Sequence, residues 1–168
     1  MHPSRRLTLA LLTLVSSGTG IAPANAALDI TVPTAKDLGS RQVGSGTLTA
    51  ALGTVTVTST NLIGTWTASV SSTNCTTGAG GSQQTVLNSQ LSYWSGPVTA
   101  TTGQLSLTTP GQATAANAVT LSTARTAFSA VTVNILQSTV SWNPTLIVNV
   151  PSSVVAGTYT CTVTHSVA

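Results

Sequence analysis

The stretch Leu62-Ile63-Gly64-Thr65-Trp66-Thr67-Ala68-Ser69-Val70 alternates with a period of two. Leu62, Gly64, Trp66, Ala68 and Val70 share one side, and Ile63, Thr65, Thr67 and Ser69 the other. Successive side chains of a strand point to opposite faces of a sheet, so the segment reads as a strand with a dry and a wet face. The same period returns on either side of it. Residues 139–150 set Val140, Trp142, Pro144, Leu146, Val148 and Val150 on one face, with a bulge or an edge expected at Pro144, which has no N–H for a ladder. Residues 158–167 set Tyr159, Cys161, Val163, His165 and Val167 inward and the threonines and Ser166 outward. Near Gly53 the apolar phase slips from Leu48, Ala50 and Leu52 to Val55 and Val57, which predicts a bulge or a tight turn.

Further strands are expected at 28–32, 91–94, 104–108 and 131–136. Gly96-Pro97, Pro110-Gly111 and the glycines of 78–82 punctuate them. Residues 113–127 are open between a short helix and two short strands. Threonine, whose branched side chain suits the wet face of a strand, fills 30 of the 142 positions after Ala26. Short alternating strands with Gly and Pro turns predict an all-β fold. Residues 27–168 are expected to form a single antiparallel β-sandwich, Ig-like, long enough for one core.

Residues 1–26 read as a signal peptide. Arg5 and Arg6 form a basic start that suits either the general or the twin-arginine export route. A short apolar stretch at 7–15 follows, and Ala24-Asn25-Ala26 supplies a cleavage site. The apolar stretch is too short to span a bilayer, and no later run is long enough, so no transmembrane segment is expected after cleavage. The mature chain would begin at Ala27 and be secreted, either wall-associated or extracellular.

Few groups after Ala26 can ionise. Lys36, Arg41 and Arg125 stand against Asp29 and Asp37, a net +1. His165 is the only histidine there, and the chain has no glutamate. General acid–base catalysis needs positioned carboxylates, imidazoles or amines, so an enzyme is not expected and no catalytic residue is assigned. No metal or cofactor is expected. Five scattered charges cannot neutralise a run of phosphates, which argues against nucleic acid as a partner. In an exported chain the two cysteines, Cys75 and Cys161, are expected to form a disulfide.

The aromatic residues are the remaining candidates for function. Alternation turns Trp66 and Trp142 inward as core residues, and Tyr159 inward with its hydroxyl bonded locally. His165 reads as a packed histidine rather than a base or a ligand, having no second titratable partner. Tyr93 and Trp94 are adjacent on a strand and must face opposite ways. With Tyr93 beside Leu91 inside, Trp94 faces out before the Ser95-Gly96-Pro97 turn, where a ring can stack on a sugar or a partner protein. This pair is the candidate ligand- or partner-binding site.

Two segments carry a family resemblance. In Gly64-Thr65-Trp66-Thr67-Ala68-Ser69-Val70 a tryptophan is followed two residues later by Ala68. In Gly157-Thr158-Tyr159-Thr160-Cys161-Thr162-Val163-Thr164-His165-Ser166-Val167 a tyrosine leads an aliphatic-Thr-x-x-aliphatic end. Both resemble the WxL family of bacterial cell-surface domains, which has leucine at the position of Ala68 and tryptophan at that of His165. Tyr159, Val163, Thr164 and Val167 match its distal motif. The resemblance implies non-covalent attachment to the bacterial cell wall through peptidoglycan, and partnership with other surface proteins. Trp66, Tyr159 and His165 would be structural motif residues. The alternatives are a self-assembling structural or adhesive surface subunit, joined through threonine-rich strand edges that lack guarding charges, and a free carbohydrate-binding module.

Overall fold

A computed structural model describes residues 6–9, 12–18, 27–60, 63–133 and 136–168, the first two segments as backbone alone. Leu62 and the expected cleavage site at 24–26 lie outside the described residues. The main strands are β1 (Ala27–Thr31), β2 (Gly46–Ala51), β3 (Val55–Thr60), β4 (Gly64–Ser72), β5 (Leu91–Trp94) and β6 (Val98–Thr102). They continue with β7 (Leu105–Pro110), β8 (Arg125–Thr132), β9 (Ser138–Trp142), β10 (Thr145–Val150) and β11 (Cys161–Val167).

One face of the β-sandwich is a sheet in the order β7-β8-β4-β11, extended by Leu12–Gly18 and Ala35–Lys36. The other consists of two four-stranded sheets, β6-β9-β3-β1 and Val119–Thr120-β5-β10-β2. A bent ribbon joins these two. β2 runs on into β3 while β9 runs on into β10, so one antiparallel pair crosses from sheet to sheet. Ala51 pairs with Thr145 and Val55 with Trp142, which leaves residues 52–54 opposite 143–144. That extra residue is a β-bulge. Gly53 carries it at φ +103°, and the Leu52 N–H donates to the Pro144 carbonyl at 2.8 Å across the bend. The expected phase slip and the expected break at Pro144 are thus two sides of one corner. The β9–β10 side keeps its apolar phase through the corner, with Val140, Trp142, Pro144, Leu146, Val148 and Val150 all buried, while the β2–β3 side passes from Leu48 and Leu52 to Val55 and Val57.

In β4, Trp66, Ala68 and Val70 are buried while Thr65 and Thr67 are exposed. In β11, Cys161, Val163, His165 and Val167 are buried and the intervening residues half-buried. The expected strand at 131–136 is displaced. The strand is β8, which ends at Thr132, and residues 134–135 lie outside the described set. A register shift between Thr126 and Phe128 inserts Ala127 and turns both Ala127 and Phe128 into the core, so parity fails there. Residues 113–127 hold a single 3-10 turn, Ala115–Asn117, the two-residue strand Val119–Thr120, and the start of β8.

The core runs between the faces, with Trp66, Trp142, Tyr93, Tyr159 and Phe128 as its largest fully buried side chains. Phe128 of β8 stacks on Trp142 of β9 at 4.9 Å between ring centroids, tying the faces together. Cys75 and Cys161 form the expected disulfide, which joins the end of the β4 arm to the start of β11 across 86 residues of sequence. Among the described residues no helix is long and apolar enough to cross a membrane.

Candidate functional site

Residues 64–70 and 157–167 contribute to neighbouring strands. β11 pairs antiparallel with β4, with His165 opposite Val70 and Val167 opposite Ala68. Ser69 and Ser166 share a hydrogen bond of 2.8 Å on the outer face. Backbone bonds between Thr67 and Ala168, at 2.8 and 3.1 Å, close the end of the pair. Trp66, Tyr159 and His165 are buried to within about one per cent, so each serves the core. The Tyr159 hydroxyl donates to the Val155 carbonyl at 2.9 Å, with the Gln83 carbonyl at 3.2 Å, and so pins the approach to β11.

Tyr93 lies at the centre of a buried polar chain. The Trp142 Nε1–H donates to its hydroxyl oxygen at 3.3 Å, and the hydroxyl lies 3.1 Å from His165 Nε2. The phenolic oxygen can accept from Trp142 and still either donate to or accept from His165 Nε2, according to the imidazole tautomer, while Nδ1 has no protein partner. Burial drives both groups toward their neutral forms. It raises the Tyr93 phenol well above its ordinary range and lowers His165 to about 4. Tyr93 lies inward beside Leu91, its ring fully buried and its hydroxyl engaged within the fold.

Trp94 faces away from Tyr93, as the alternation predicts, but it is only half-exposed. The turn after it folds back: the Gly96 N–H donates to the Gln112 carbonyl at 3.0 Å, and a Cβ at Gly96 would lie 3.7 Å from the Trp94 ring. Ser95 is buried and locks the turn by bonds of 3.0 and 3.1 Å to the Gln112 backbone. Trp94 therefore offers part of its ring rather than an open stacking platform.

Two surface depressions among the described residues are lined by uncharged groups. One, of about 440 Å³, is lined by Ser82, Thr85, Leu87, Gln90, Pro151 and Ser153. Leu87 is 52% exposed at its edge, and the Asn149 amide holds the Gln90 side-chain oxygen at 2.7 Å. Hydroxyl, amide and aliphatic groups here converge without an aromatic or an ion. A second depression, of about 280 Å³, lies between β6 and β7 and is lined by Thr101, Ser106 and Thr108 with Val98, Leu105 and Leu107. Sequence reading missed both, because they are assembled from loops and strand ends with no periodic signal. Among the described residues no three His, Cys, Asp or Glu side chains gather as metal ligands. The chain matches no protein-family model, and no curated protein sequence is similar to it.

Proposed function

We propose that residues 27–168 are an exported domain that attaches non-covalently to the bacterial cell wall, with peptidoglycan as the ligand class, and that works there by binding rather than by catalysis. The observation that carries this reading is the union of the two WxL-like segments, hydrogen-bonded side by side in β4 and β11 and clamped by the disulfide. The depression at Ser82, Leu87, Gln90 and Ser153 supports it as a place where sugar hydroxyls meet amides and hydroxyls and a pyranose face meets an aliphatic side chain. Leu87→Ser with Gln90→Ala should lower the fraction of protein that pellets with purified peptidoglycan while leaving the melting temperature within a few degrees. Unchanged pelleting would remove this depression from the reading.

A second reading, self-assembly into a surface layer, has its own observation. All five residues of β6 are exposed at a sheet edge that carries no charge and no proline. Size exclusion across a concentration series separates the two readings, since a persistent monomer excludes self-assembly.

A further inference from the structure

The edge of β11 away from β4 is occupied by the chain's own N-terminal segment. Leu12–Gly18 runs parallel to β11 along its whole length, with Leu12 opposite Cys161, Leu14 opposite Val163, Ser16 opposite His165 and Gly18 opposite Val167. On its far side the same segment pairs antiparallel with Ala35–Lys36, Leu12 opposite Lys36 and Thr13 opposite Ala35. It is thus an inserted strand, held at its first residues between two others. It overlaps the apolar stretch at 7–15 of the expected signal peptide and lies wholly upstream of the expected Ala26–Ala27 cleavage site. Export processing would remove it and leave a slot along seven residues of β11. The N–H and C=O groups on that edge of β11 would lose their partners, and unpaired strand edges recruit other strands.

We infer that the processed domain accepts, in this slot, a β-strand supplied by another polypeptide, laid parallel to β11. The inference rests on the export reading. The chemistry of the occupant follows from the segment the slot holds. Leu12-Thr13-Leu14-Val15-Ser16-Ser17-Gly18 has no charge and no proline. Its positions in register with Cys161, Val163, His165 and Val167 run from large to small: leucine, leucine, serine, glycine. Backbone bonds to β11 would supply affinity, and the residue types allowed at these register positions would supply selectivity. Lys36, opposite the first position, is the one charged residue in register with the segment. A strand with a charge at its third position would have to bring that charge into register with buried Val163.

The test uses the protein purified from an exporting host. Intact mass first shows whether the chain begins at Ala27; a chain that retains residues 12–18 fills its slot in cis and overturns the proposal. The probe is a fluorescent synthetic peptide of residues 10–20, set against the same peptide carrying Leu14→Lys and against a shuffled peptide of equal composition. The proposal expects saturable binding of the native-pattern peptide, at least tenfold weaker binding of the other two, and slowed amide exchange confined to β11 and residues 35–36. Absence of binding, or equal binding of all three peptides, overturns it. Self-association that the native-pattern peptide dissolves would place a second copy in the slot and overturn the choice of a different polypeptide. Peptidoglycan pelleting measured alongside fails or succeeds independently, so loss of the wall reading and loss of this one are distinguishable.

Discussion

Trp142, Tyr93 and His165 carry one hydrogen-bond chain through the core, and its last member is an imidazole whose charged form burial suppresses. His165 titrates at about 4 in the fold, against an ordinary value of 6.5, because burial penalises the imidazolium. As pH falls, the unfolded chain therefore takes up the proton first. Stability from the neutral histidine is complete above about pH 6.5 and is lost between there and about pH 4, roughly 3 kcal/mol in all. Urea denaturation from pH 7 to pH 4 should show this slope, and His165→Gln should flatten it; a slope unchanged in that variant would assign the acid sensitivity elsewhere. Tryptophan substitutions probe the same interior. Trp66→Ala removes a ring about one per cent exposed and should cost about 3–5 kcal/mol. Trp94→Ala removes a half-buried ring held against the Gly96 turn and should cost distinctly less. Equal losses in thermal melts would contradict the placement of Trp94 on the outer face.

The corner between the two four-stranded sheets depends on Gly53. Its φ of +103° is one that side chains avoid, and a Cβ there would come within 2.7 Å of Pro33 Cγ. Gly53→Ala should lower stability by on the order of 1–3 kcal/mol, visible as a shifted urea midpoint. An unshifted midpoint would mean that the ribbon bends elsewhere. At this scale much was legible in the sequence. Burying one face fixes the parity of a strand, so the inward sets of β4, β9, β10 and β11 follow from alternation, and the slip at Gly53 marks the bulge. What alternation cannot report is which strands are neighbours, since pairing joins residues far apart in sequence. Nothing local says that His165 meets Tyr93, or that β4 and β11 lie side by side. Ala127 shows the other failure: one inserted residue turned two successive side chains inward, and the periodic signal of β8 went unread while a strand was expected at 131–136. The candidate site was less legible than the fold. Alternation placed Trp94 outward, but the cover from the Gly96 turn and the depression at Leu87 and Gln90 arise from loops.

Over the whole molecule, the disulfide and the scarcity of charge set the behaviour. The Cys75–Cys161 bond closes a loop of 86 residues, and in the chain-entropy model it stabilises the fold by roughly 4–5 kcal/mol. Reduction should move the denaturation midpoint by a corresponding amount, and a midpoint unmoved by full reduction would show that the bridge adds little to the core. With Lys36, Arg41 and Arg125 against Asp29 and Asp37, residues 27–168 have little to attract polyanions, and the proposed binding through hydroxyls, amides and aliphatic contacts should be nearly indifferent to salt. Co-sedimentation of the exported, processed protein with purified peptidoglycan, at low and at high salt, tests the central claim most directly. The account predicts saturable pelleting that persists at high salt; protein that stays in the supernatant, or that modest salt releases, would contradict it.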